Sequence, residues 1–205
     1  MRSDEDPIED GTFQAVETDD VEFELPQAAP PFPPLDSMLN LFKWYERHFC
    51  RAEITDCRNF PVEFCEGDFV HLVKIVDRYG KEPKNRADTI RRIKAGEFKM
   101  FNGTRHSPAN FSVQRAKDLA CALAVIQDPW MIVPNWQPLG KANPGEAYIR
   151  NFGKDGRRRF RVLICGVTGR RRSPVTMFPR QRFAAEEILI KLWPKTKRPL
   201  KGDLF

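Results

Sequence analysis

The chain has 205 residues, is 41% hydrophobic, and carries 34 lysines and arginines against 28 aspartates and glutamates, for a net charge of +6. That length and composition suit one domain with extensions, able to bury a real core. No run of about 18 apolar residues occurs, so no transmembrane helix is expected, and the acidic N-terminus lacks the apolar stretch that a secretory signal needs.

Charge is unevenly placed. Residues 1–36 hold eleven acids and one base, Arg2, for −10, which leaves +16 on the remainder. The segment "PQAAPPFPP" (26–34) is proline-rich. Residues 1–35 are therefore expected to form a disordered acidic arm with a stiff linker, residues 36–195 a single domain, and residues 196–205 a basic flexible tail. The charge of the body would attract nucleic acid or another polyanion. The arm is either a solubility segment or an internal competitor that contacts the basic domain. Tethering gives it an effective concentration of roughly millimolar. Deleting residues 1–34 should then tighten nucleic-acid binding at low salt, with the difference shrinking as screening shortens. Identical binding by the two forms at low ionic strength would leave the arm a solubility or recruitment role.

The domain begins with "DSMLNLFKWYERHF" (36–49), a helical pattern with Asp36 or Ser37 as N-cap. "FPVEF" (60–64) alternates like a short strand. "GDFVHLVKIVDRYG" (67–80) predicts an amphipathic helix with Asp68 as N-cap and Gly80 as stop. Residues 85–98 predict a basic helix capped by Asn85 and ended near Gly96. "NGTRHSP" (102–108) is a polar loop, and residues 109–127 predict one longer helix with Ala116, Leu119, Ala120 and Leu123 facing the core. Strands are expected at 130–136, 146–152, 160–167 and 174–179, the last three joined by the glycine-containing turns "GKDGRRR" and "TGRRRS". A last helix is expected at 183–193. The fold class is α+β, with N-terminal helices packed on a C-terminal antiparallel meander.

The five cysteines (Cys50, Cys57, Cys65, Cys121, Cys165) form no CxxC pair and suit reduced core residues of a cytoplasmic protein. His48, His71 and His106 show no metal-ligand spacing, so neither metal nor cofactor is expected. In a helix over 67–80, Phe69, Leu72, Val73 and Val76 make the apolar stripe, while His71, Lys74 and Arg78 fall within roughly 60° of one another on the other side. That second face is either solvated or turned to a phosphate. Arg157, Arg158 and Arg159, and Arg170, Arg171 and Arg172, crowd consecutive turns at opposite ends of one strand, roughly 25 Å apart. They suit either a nucleic-acid backbone tracked across the sheet or plain turn solubility, rather than one pocket. Thr176, on the last strand, is either a plain β-former or a ligand for a phosphate oxygen. Thr104 and Arg105, before a helix N-terminus, suit an anion or an ordinary cap.

Two of these segments carry a family resemblance. The F-x-V-x-F…F-x-H-L unit at Phe60–Phe64 and Phe69–Leu72, basic helices, and a V-T-x-F-P strand at Val175–Pro179 resemble the phage-associated nucleases grouped with barnase, EndoU, colicin tRNases and RelE. The resemblance spans residues 58–182. It implies a barnase/EndoU/RelE-like α+β fold and a metal-independent ribonuclease, of the phage-borne or toxin-effector type, that cleaves by 2′-hydroxyl attack. By position, His71 matches the histidine of the first unit and Thr176 the hydroxyl residue before F-P. After His-Leu, related chains often carry a small polar residue and glycine, where this chain has Val73 and Lys74.

Three readings follow. The first is a ribonuclease using His71, Lys74 and Thr176, with Arg78, Arg92, Thr104, Arg105 and the arginine turns, including Arg157, Arg158, Arg170, Arg171 and Arg172, on the substrate. The second is a non-catalytic nucleic-acid-binding module, and the third an interaction protein. The expected partner is RNA, with DNA as the alternative and an inhibitor protein as a further candidate.

Overall fold

A computed structural model describes residues 30–77, 79–101, 109–136, 145–153 and 159–180. The expected helix at 183–193 and the tail lie outside the described residues, as do Arg78, Thr104, Arg105, Arg157 and Arg158.

Helix α1 spans Met38–Tyr45, and Ser37 is its cap: the Ser37 Oγ accepts the Asn40 N–H at 3.1 Å. A π-helical turn, Glu46–Cys50, continues it and carries Phe49 into the core. The proline-rich stretch touches the body from Pro30 onward, because Pro30 and Pro33 are buried and Trp44 Nε1 donates to the Pro31 carbonyl at 3.1 Å. A deletion that tests the arm therefore stops at residue 29 rather than 34.

Residues 60–64 do not form a regular strand. They make single bridges, Thr55 to Pro61 and Val62 to Arg172. Helix α2 spans only Glu66–Leu72. Its N-cap is Cys65, and Asp68 sits three residues in, its carboxylate taking the Cys65 N–H at 2.8 Å. The helix stops eight residues before Gly80 for a local reason. Lys74 adopts φ 53°, in the left-handed region. Its N–H returns to the His71 carbonyl at 3.1 Å, and the Ile75 N–H to the Val70 carbonyl at 2.8 Å. These two bonds are those of a Schellman stop, with buried Val70 and Ile75 as its apolar pair. The chain then runs extended beside residues 110–112, with Val76 N–H on the Asn110 carbonyl and Ser112 N–H on the Val73 carbonyl.

Helix α3, Arg86–Lys94, is capped by Asn85 and closed by Gly96 at φ 73°. The helix expected over 109–127 is two: α4, Val113–Leu119, and α5, Ala122–Gln127. It starts late because buried Asn110 is engaged by the 99–101 segment, accepting the Phe101 N–H and donating to the Lys99 carbonyl. It breaks at Ala120 and Cys121, whose N–H groups reach back three residues instead of four.

Strands β1 (Met131–Trp136), β2 (Gly145–Asn151), β3 (Phe160–Thr168) and β4 (Arg171–Arg180) form one antiparallel sheet in the order β1-β2-β3-β4. Side chains alternate between its faces. Ile132, Tyr148, Leu163, Cys165 and Met177 join the helical core, while Met131, Val133, Ala147, Ile149, Phe160, Val162 and Ile164 form a second cluster on the other face. Gly169, at φ 57°, opens the two-residue turn between β3 and β4. All five cysteines are free thiols. Among the described residues no helix is long and apolar enough to cross a membrane.

Candidate active site around His71, Arg115 and Thr176

Strand β4 is one of the two outer strands, and a bulge interrupts its register with β3 between Ile164 and Cys165, leaving Val175 without an opposite partner. Thr176 follows that bulge. Helices α2 and α4 both pack against β4, and α4 brings Arg115 to Thr176. The Arg115 Nη1 lies 3.4 Å from Thr176 Oγ1 and 3.4 Å from the His71 carbonyl oxygen. One guanidinium thus links the two residues singled out from the sequence, on elements 105 positions apart in the chain.

His71 lies in the last turn of α2 with its side chain 25% exposed. Its Nδ1 is 2.6 Å from Glu82 Oε2. The other oxygen of Glu82 is held by Arg86, from Nε at 2.9 Å and Nη2 at 2.7 Å. Burial pushes the Glu82 carboxyl upward, but the hydrogen bond from His71 and the charge and hydrogen bonds of Arg86 outweigh it and keep the group below its ordinary range.

Arg115 has no such clamp. Among the described residues no carboxylate lies within ion-pair distance of it. Burial weakens its hold on the proton, and Asp118 and Glu82 oppose that only through space. Asp118, one turn further along α4, is fully buried and engaged elsewhere: its Oδ1 accepts Arg161 Nε at 2.6 Å and Gln114 Nε2 at 2.9 Å. Among the described residues its Oδ2 has no hydrogen-bond partner, and burial raises its pKa against the pull of Arg161.

Other expected residues stand elsewhere. Lys74 is exposed beyond the end of α2, so it does not share a helical face with His71. Arg92 is exposed on α3. The arginine turn divides. Arg170 is exposed and lies over the Phe60 ring at 5.2 Å, and Arg171 makes an exposed pair with Glu63 at 3.4 Å. Arg172 is 4% exposed and turned inward, where Nε and Nη2 grip Glu146 at 2.9 and 3.1 Å. Its assignment to substrate is corrected: its charge is already used inside the fold. Replacing Arg170 and Arg171 by serine should lower the log–log salt slope of RNA binding by up to about 2, not the 3 that an all-exposed triplet would give. An unchanged slope would show that the turn does not reach the backbone of the nucleic acid.

Glu146 belongs to a buried network missed by sequence reading. Arg58 Nη2 contacts Glu146 Oε2 at 2.6 Å, Asp56 Oδ2 at 2.7 Å and the Tyr148 hydroxyl at 2.7 Å, and that hydroxyl donates to Asp56 Oδ2 at 2.8 Å. Arg58 and Arg172 also flank the Phe60 ring, at 5.0 and 4.5 Å. The network ties residues 56–60 to β2 and β4.

Among the described residues no group of three His, Cys, Asp or Glu side chains could hold a metal ion. No family model, curated protein or solved structure matches the chain, so the geometry around Arg115 is the ground on which a function rests.

Proposed function

We propose that the chain is a metal-independent endoribonuclease of the barnase, EndoU and RelE kind, cutting RNA by attack of a 2′-hydroxyl on the adjacent phosphate. The observation that carries this reading is the Arg115 guanidinium, half-buried, with no bonded carboxylate among the described residues, and within 3.4 Å of both Thr176 Oγ1 and the His71 carbonyl oxygen. A partly desolvated cation in that position favours an incoming anion. It favours most the phosphate that gains charge in the pentacovalent state. Histidine suits proton exchange near neutral pH, and the Thr176 hydroxyl suits a non-bridging phosphate oxygen. In the reaction the 2′-oxygen–phosphorus bond forms and the phosphorus–5′-oxygen bond breaks, leaving a 2′,3′-cyclic phosphate and a 5′-hydroxyl.

Lys74 departs from the resembling chains, which often carry glycine at this position; its φ is 53°, a conformation that glycine takes without strain. A toxin-type effector role, in the cytoplasm and with an inhibitor protein as partner, is part of the same proposal.

The test is incubation of the full chain with RNA in excess EDTA, followed by analysis of the termini. Cyclic-phosphate ends support the enzyme. Salt-sensitive binding to RNA that stays intact supports the alternative, a nucleic-acid-binding module. One observation favours that alternative: no second histidine joins the cluster among the described residues, since His48 lies tilted against Trp44 in the N-terminal helical region.

A further inference from the structure

We infer that Glu82 is a positioning residue that fixes the His71 imidazole as its Nδ1–H tautomer and presents Nε2, unprotonated, as the base for the 2′-hydroxyl; the catalytic part of this rests on the ribonuclease reading above.

The geometry leaves little choice of proton. The Glu82 Oε2 is 2.6 Å from His71 Nδ1, and an ionised carboxylate can only accept. Glu82 is ionised because Arg86 grips its other oxygen through two nitrogens, and its pKa is held low. The proton between the two side chains therefore sits on Nδ1, and the hydrogen bond at one ring nitrogen sets the state of the other. Among the described residues, Asp68, whose carboxylate caps α2, and Arg115 also act on this pair through their charges. Arg86 opens α3 while His71 lies in the last turn of α2, so Glu82, in the connection between them, ties the ring to two helices at once.

In the cleavage step Nε2 takes the proton of the attacking 2′-hydroxyl as the oxygen bonds to phosphorus. The 5′-oxygen departs with a proton from solvent water, and the hydroxide so formed removes the proton from Nε2. The ring ends as it began, and no other reagent is consumed.

The experiment uses the full chain with 15N-labelled histidine, with and without RNA. Long-range 1H–15N correlation of His71 in its neutral form is expected to show protonation at Nδ1 in the parent. Glu82→Ala is expected to release the ring toward the Nε2–H tautomer, and to lower kcat by roughly 10²-fold with KM unchanged. Glu82→Gln, which keeps an acceptor oxygen, should retain the Nδ1–H tautomer and recover part of the rate. An Nε2–H tautomer in the parent, or a tautomer unmoved in folded Glu82→Ala, overturns the inference. If the tautomer shifts as stated but the parent cuts no RNA, Glu82 stands as the group that sets the ring and the ribonuclease reading falls. If Glu82→Ala does not fold, the parent spectrum alone decides.

Discussion

His71→Ala is expected to lower RNA cleavage by roughly 10²–10⁴-fold, the usual contribution of a positioned proton-transfer group, while leaving the fold in place. The separation follows from where the side chain lies. It is a quarter exposed, and its ring bonds to a loop carboxylate rather than to the core. The elements that hold α2 in place are Phe69, Val70 and Leu72, all buried, and the Schellman stop built from backbone groups. None of these involves the imidazole, so the stability change should stay near that of a surface substitution, within about 1 kcal/mol. The check is paired: kcat on RNA in excess EDTA, and the thermal unfolding midpoint of the same preparation. A folded variant with unchanged turnover would remove His71 from the reaction. An unfolded variant would make it a structural residue.

Glu146→Ala is expected to cost about 3–5 kcal/mol of stability, the effect of taking one partner from a buried ion pair. Here the loss falls on two guanidiniums, Arg58 and Arg172, with side chains 15% and 4% exposed. For a chain of this size that corresponds to roughly 6–20 °C in the unfolding midpoint. A pH dependence accompanies it. Burial pushes the Glu146 and Asp56 carboxyls up, but hydrogen bonds outweigh it: from Arg58 and Arg172 to Glu146, and from Phe60, Arg58 and Tyr148 to Asp56. Both groups are held below their ordinary range. A carboxylate depressed in the folded state contributes stability that is fully present above its unfolded pKa, about 4, and disappears as pH falls through the lower folded value. Stability of the parent should therefore fall steeply below about pH 4, and the variant should show a shallower fall. Parallel curves would mean that the network contributes no pH-dependent stability.

Much of the architecture was legible because local signals agreed. The four strand positions followed from runs of β-branched and aromatic residues, and α3 from Asn85 and Gly96 at its two ends. Helix α2 was overextended because Val73, Ile75 and Val76 continue an apolar pattern. Val73 caps the helix and Ile75 and Val76 are buried in the segment beyond it instead, and a lysine at a left-handed position gives no sequence warning of the stop. The single helix over 109–127 failed for a similar reason: neither glycine nor proline marks the tight turn at Ala120 and Cys121. Arg172 was misplaced by counting three arginines as one patch. Strand alternation puts it inward between Arg171 and Ser173, on a strand whose neighbours supply Glu146 and Tyr148. Arg115 was not found at all. It lies beside the Ala116–Leu119 stripe like any flanking surface residue, and only the packing of α4 on β4 reveals its two contacts.

The central claim is that Arg115, His71 and Thr176 form one site for attack by a 2′-hydroxyl. The most direct measurement compares a defined RNA with its fully 2′-O-methylated counterpart, both incubated with the full chain in excess EDTA. The account predicts that both bind with similar salt dependence, that the unmodified RNA is cut to cyclic-phosphate and 5′-hydroxyl ends, and that the methylated strand stays whole. Cleavage of both strands alike, or of neither, would contradict it.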